Sequence, residues 1–156
     1  MNTRYYLAYG SNLSTEQMKV RTPGAEIAGI AVLEGWRLLF RKYATIRKRK
    51  GYTVPVLVWK ITPEDEKNLD SYEGYPDFYI KRTLNVRVTS LDGVDLGDIS
   101  AMAYIMTPEA VKLRIKICIP DKRYYSLIKA GYEAFGFDDK ILAGALAESF
   151  DRLKPR

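Results

Sequence analysis

With 156 residues, 47% of them hydrophobic and 28% charged, the chain is long enough to bury a core and short for two folding units, so one domain spanning residues 1–156 is expected. Its 25 Lys and Arg against 19 Asp and Glu give a net charge of +6, a modest excess that favours anionic partners. No histidine and one cysteine, Cys118, exclude an internal disulfide, every Ser/His or Cys/His couple and every His-ligated metal site, which leaves chemistry to carboxylates, tyrosines, lysines, hydroxyls and backbone groups.

No run approaches the roughly 18 apolar residues of a membrane span, and Met1-Asn2-Thr3-Arg4 lacks a signal peptide's cleavage pattern. A cytoplasmic location with no membrane partner is the expectation. Arg4-Tyr5-Tyr6-Leu7-Ala8-Tyr9 reads as an aromatic-rich strand stopped at Gly10. Ser14-Thr15-Glu16-Gln17 has the spacing of a capping box and starts a short helix that Pro23-Gly24 ends.

Ile27 to Leu33, Trp36 to Arg41 and Thr53 to Ile61 are β-branched or aromatic runs and read as successive strands, with Pro55 marking an edge or bulge in the third. Between them Arg47-Lys48-Arg49-Lys50 beside Gly51 reads as a solvated hairpin tip, the alternative being an anion patch. Without interleaved base-stacking aromatics the run does not point to nucleic acid. Thr62-Pro63-Glu64-Asp65 supplies an N-cap, a first-turn proline and acids at the positive pole of a helix running to about Tyr72, ended by Gly74 and Pro76.

Tyr79 to Val88 fits a half-buried strand, Asp92-Gly93 a turn, and Ser100 to Met106 a further strand. After Pro120, Tyr124, Leu127, Ile128, Gly131 and Phe135 follow helical spacing, with Gly136 as a cap. A last helix begins near Asp138 and leaves Lys154-Pro155-Arg156 as a frayed end. About six strands with helices inserted between and after them do not alternate as βαβ units. The expected class is therefore α+β, with a mixed or mostly antiparallel sheet that can curl into a small barrel.

Two segments carry candidate chemistry. Gly10 permits a tight turn, Ser11 and Asn12 are short and polar, and the amides of Gly10 to Leu13 precede a helix N-terminus, which is the composition of an anion-binding nest and equally of plain turn and capping chemistry. Ser11 lacks a histidine base and is not expected to act as a nucleophile. In Leu69-Asp70-Ser71-Tyr72-Glu73-Gly74-Tyr75-Pro76, a carboxylate stands at the negative pole of a helix, a placement that costs about 0.3–1 kcal/mol when exposed. Flanking Tyr72, Tyr75, Phe78 and Tyr79 would desolvate it, and both effects raise its pKa toward that of a general base. The competing reading is an exposed glutamate before a helix-ending glycine. Tyr104 reads locally as an amphipathic core residue, and Cys118 as a small buried hydrophobe.

Tyr5-Tyr6-Leu7-Ala8-Tyr9-Gly10-Ser11-Asn12-Leu13, taken with Leu69-Asp70-Ser71-Tyr72-Glu73-Gly74 and the following Tyr79, resembles the γ-glutamylcyclotransferase (AIG2-like) family. The tail from Tyr124-Tyr125 through Phe135-Gly136-Phe137 looks like that of its bacterial members. The resemblance implies a compact mixed β-barrel of about six strands with flanking helices. It also implies a pocket where the Gly10 to Leu13 loop meets Glu73. Glu73 matches the family's catalytic acid/base. Gly10, Ser11, Asn12 and Leu13 match the loop that holds the γ-glutamyl part, Tyr9 belongs to the same motif, and Tyr79 and Tyr104 match two pocket tyrosines. Between Gly74 and Tyr79 the sequence departs slightly from relatives, which vary in length there.

The implied activity converts a γ-glutamyl amide to 5-oxoproline and a free amine, with no cofactor and no metal. The implied partner is a small-molecule γ-glutamyl substrate, and the chain is expected to act as a monomer or homodimer. The leaving amine is not readable from the sequence. The alternative function is a non-catalytic small-anion or protein-binding module on the same fold.

Overall fold

The computed structural model describes residues 3–153, so the expected frayed end at 154–156 lies outside the described residues. Strand β1, Arg4–Ala8, pairs antiparallel with β3, Tyr43–Ile61, from Arg4↔Ile61 to Ala8↔Leu57. On its other side β3 pairs with β2, Glu26–Arg41, and β2 meets β4, Tyr79–Thr89, at Ile30↔Thr89. Strand β4 forms a long antiparallel ladder with β5, Asp95–Met106, and β5 returns parallel to β1 at Tyr6↔Met102. The sheet thereby closes into a barrel in the order β1-β3-β2-β4-β5, leaving no free edge along the ring. The class is α+β, as expected.

Six strand-like segments become five strands because two glycines that read as turns act as irregularities instead. Gly35, with φ of 78°, lies within continuous β2, where the register jumps between Glu34↔Thr53 and Trp36↔Lys48. Residues 49–52 of β3 therefore stand opposite Gly35 alone; Arg47 and Lys48 of the basic run pair with Arg37 and Trp36, Arg49 and Lys50 fall in the excursion, and the whole run is exposed in mid-strand, not at the end of a hairpin. The real tip is Lys42, with φ of 67° between the paired Arg41 and Tyr43. Two tethers hold it. The Lys42 amide donates to the Cys118 carbonyl at 2.8 Å, and the buried Arg41 guanidinium donates to Glu148 at 2.7 and 2.9 Å. Cys118 is fully buried, as its apolar neighbours suggest.

Val54 to Trp59 of β3 are buried without alternation, because this central strand is covered on both faces. Pro55 lies two residues beyond the last β1 pair, where its missing N–H leaves no β1 ladder bond unmade. The helices are α1 (Thr15–Arg21), α2 (Pro63–Glu73), α3 (Pro108–Leu113), α4 (Lys122–Phe135) and α5 (Asp139–Arg152). Helix α3 was not expected; Thr107, Pro108 and Glu109 are its N-cap, first-turn proline and first-turn acid. No helix among the described residues is long and apolar enough to cross a membrane.

Candidate active site

Residues 11–13 form one turn of 3-10 helix between β1 and α1. The Leu13 amide closes that turn onto the Gly10 carbonyl at 3.1 Å, so the Gly10, Ser11 and Asn12 amides are the donors left without a backbone acceptor among the described residues. The Trp59 indole N–H donates to the Asn12 carbonyl at 3.2 Å and fastens the turn to β3. Ser14 caps α1 by accepting from the Gln17 amide at 3.2 Å. Only that half of the capping box forms. The Gln17 side chain turns instead to the loop, where its Nε2 donates to Ser11 Oγ at 2.9 Å and Asn12 Oδ1 at 3.0 Å.

Helix α2 presents Glu73 as its last residue because both ends are strongly specified. At the start, Thr62 and Asp65 form a full capping box, and Asp65 also accepts from the Gly24 amide at 3.2 Å. At the end, Gly74 adopts φ of 63°, and a Cβ there would lie 2.9 Å from the Phe78 ring, so glycine is required on two counts. Along its side, Glu66 and Asp70 receive Lys81 Nζ of β4 at 2.6 and 3.0 Å, and Glu66 also pairs with Arg4 of β1 at 2.7 Å.

These elements enclose a cavity of about 520 Å³, within the usual range for a small-molecule site. The structure brings Tyr9, Gly10, Ser11, Asn12, Glu73, Tyr79 and Tyr104 to its wall. Leu13 is the exception. It is buried beneath the loop and packs so tightly on Gly131 of α4 that a Cβ at 131 would come within 2.6 Å of it. Its place in the motif is that of an anchor. Of the aromatics expected around Glu73, Tyr72, Phe78 and Tyr79 line the cavity, whereas Tyr75 turns away to cover Lys81, whose ammonium lies 4.5 Å from the ring centre.

Burial raises the Glu73 pKa to about 7, a shift that the positive charge of Arg21 partly offsets. Burial first, and in every case also the nearby Glu73 charge, pushes Tyr6, Tyr9, Tyr79, Tyr104 and Tyr124 well above their ordinary value, so all five phenols are neutral. Their hydroxyl protons are differently committed. Tyr9 donates to the Tyr104 carbonyl at 2.5 Å, Tyr79 to the Ala44 carbonyl at 2.8 Å, and Tyr104 to Asp70 at 2.5 Å. Tyr6 accepts from Asn12 Nδ2 at 2.9 Å and Tyr124 accepts from the Ala44 amide at 3.0 Å, which leaves the protons of these two hydroxyls for a ligand. Both were missed as site residues, although Tyr6 and Tyr124 lie inside the stretches that carry the family resemblance. Gln17, Arg21, Tyr43 and Arg114 also line the cavity; the sequence marks Gln17 only as a capping residue and gives no local pattern for the other three.

Fold and cavity together define a five-stranded α+β barrel protein with a tyrosine-lined small-molecule cleft. A sequence model of the family described as gamma-glutamyl cyclotransferase, AIG2-like, matches residues 6–126, and the chain belongs to that family. It is 28% identical over 138 residues to the gamma-glutamylcyclotransferase of Mus musculus, covering 77% of this chain and 71% of that protein. It is 30% identical over 135 residues to that of Bos taurus, covering 75% and 69%. Among solved structures, a gamma-glutamyl cyclotransferase superposes with a TM-score of 0.70 at 26% identity, over 94% of this chain and 88% of the other. YkqA of Bacillus subtilis shares the fold, with a TM-score of 0.70 at 18% identity over 96% of this chain and 55% of that one.

Proposed function

We propose that this protein is a γ-glutamyl cyclotransferase that converts a γ-glutamyl amide to 5-oxoproline and a free amine, with Glu73 as general acid and base. The observation that carries this reading is that, among the described residues, one carboxylate lines the cleft, its pKa brought by burial to about 7, set among neutral tyrosines and unpaired turn amides. The gamma-glutamylcyclotransferase names of the relatives support the same activity.

The substrate carries its own nucleophile. Glu73 accepts a proton from the α-ammonium group, and the freed nitrogen attacks the γ-carbonyl carbon, forming the C–N bond of a five-membered ring. Glu73 passes that proton to the leaving nitrogen as the tetrahedral intermediate collapses and its bond to carbon breaks, then takes the second proton from the ring nitrogen, which becomes the lactam N–H, and hands it to the released amine, which departs as an ammonium ion. Donors for the substrate's carboxylate and the developing oxyanion are the Gly10, Ser11 and Asn12 amides and the Tyr6 and Tyr124 hydroxyls. Tyr9, Tyr79 and Tyr104, their protons committed elsewhere, shape the wall.

The nucleophile is already tethered to the γ-carbonyl, so the gain of about 7–11 kcal/mol from intramolecularity belongs largely to the substrate; the enzyme's part is to fix the γ-glutamyl chain in its reactive conformer and to supply the roughly 3–5 kcal/mol of a well-placed acid and base. The test is an assay of 5-oxoproline over a panel of γ-glutamyl amino acids, amines and peptides. Release of 5-oxoproline with one equivalent of amine is expected from at least one of these classes; no release from any of them contradicts the reading.

A further inference from the structure

The amine half of the substrate is the part that Glu73 and the loop leave unspecified, and the charge of the cleft bears on it. Among the described residues that line the cavity, Glu73 is the one carboxylate, against two guanidinium groups, Arg21 and Arg114. The two arginines differ in how they are engaged. Arg21 donates to Asn12 Oδ1 at 3.2 Å, lies 4.4 Å over the Tyr72 ring, and is the cation whose charge acts on Glu73.

Arg114, at the end of α3, lies 4.8 Å from the Phe78 ring centre and 5.5 Å from that of Tyr43. Its hydrogen bond is a long one, from Nη1 to the Ala110 carbonyl at 3.4 Å, and no carboxylate of a described residue pairs with it. Arg114 stands by Phe78 and Tyr43, whereas Arg21 stands by Tyr72 and Asn12, so the two cations occupy different parts of the lining. Contact with two rings positions a guanidinium without neutralising it, so its N–H fork remains open to a planar anion.

We propose that Arg114 is the specificity-determining residue for the leaving amine: its fork selects amines that carry a free carboxylate over the matching carboxamides and over di- and polyamines. This rests on the cyclotransferase reading above. A carboxylate next to the scissile nitrogen takes the open fork of Arg114 in a charge-assisted, two-bond pairing. A cationic tail meets the reverse situation: it faces two guanidinium groups, and the single carboxylate of the lining is already committed to the substrate's α-ammonium.

The test compares kcat/KM for 5-oxoproline release from γ-glutamyl-L-alanine, γ-glutamyl-L-alaninamide and mono-γ-glutamyl putrescine. The first two differ only in carboxylate against carboxamide. The native enzyme is expected to prefer the acid over the amide by about tenfold or more, with the putrescine compound slowest. In Arg114→Met, which keeps an unbranched stem between the rings, that preference should shrink by about fivefold or more, and Arg114→Lys should retain part of it. Equal rates for acid and amide in the native enzyme, a preference for the putrescine compound, or an unchanged acid-to-amide ratio in Arg114→Met would overturn the proposal while leaving the cyclotransferase reading intact. No 5-oxoproline from any of the three overturns the proposal; its absence across the wider panel as well would remove the reading beneath it.

Discussion

Glu73 concentrates the tension between stability and chemistry in a single side chain. Its pKa rises from 4.5 to about 7 on burial, so the folded protein holds that proton more tightly than the unfolded chain does. Below pH 4.5 the carboxyl is neutral in both states and costs nothing; as pH rises through the window to about 7, the unfolded chain ionises first and stability is lost. Glu73→Gln, neutral at every pH, should therefore raise the unfolding free energy by about 1–3 kcal/mol at pH 8 and leave it nearly unchanged near pH 4. Urea denaturation of both proteins at the two pH values measures this. Gly10 tests the other side of the cleft. A Cβ there would stand 3.2 Å from the Ala44 Cβ and 3.6 Å from the Tyr124 hydroxyl, so a branched side chain intrudes on the wall beside the turn amides. Gly10→Val should weaken 5-oxoproline binding by about tenfold or more. Ser11→Ala should cost only a few-fold, because Gln17 keeps Asn12 as its second acceptor. Calorimetric titration with 5-oxoproline separates the two.

At the scale of elements, helix α2 holds Glu73, the proposed general base. Thr62, Pro63, Asp65 and Gly74 specify both its ends, and all four signals are local, which is why this helix was legible in the sequence to within one residue. Replacing Gly74 by Ala places a Cβ in the left-handed region and against Phe78, so the variant should lose about 1–2 kcal/mol of stability and, with Glu73 displaced, a larger share of turnover. Thermal unfolding and the 5-oxoproline assay on one preparation check both. The β2–β3 pair shows why other elements were not legible. Gly35 and Gly51 carry the composition of turns, yet cross-strand pairing absorbs them as irregularities, while the true tip falls on Lys42, a residue with no turn signature. What holds that tip is distant in sequence: the Cys118 carbonyl and the Glu148 carboxylate. Long-range tethers of this kind leave no trace in a local pattern.

For the molecule as a whole, barrel closure is what turns separate motifs into one cleft. The parallel contact of β1 with β5 brings the Tyr6–Tyr9 end of the first strand beside Tyr104, and the tip of β2–β3 brings Tyr43 and Ala44 to the same wall. The loop and Glu73 were readable because each is a compact motif. Gln17, Arg21 and Arg114 were not, because a surface-type polar residue on a short helix looks alike whether it faces solvent or a cleft. Leu13 shows the converse: membership of a motif says that a residue matters, and packing against Gly131 says how. The central claim, that Glu73 in this enclosed cleft moves the protons of cyclisation, is tested most directly by the pH profile of kcat/KM for 5-oxoproline release in the native protein and in Glu73→Gln. The account predicts a native profile that falls about tenfold per pH unit below an apparent pKa of about 7, since the base must be ionised to accept the ammonium proton, and a variant reduced by about 10²–10⁴-fold that loses this acidic limb. A Glu73→Gln protein with near-native turnover, or one that keeps the same acidic limb, would contradict it.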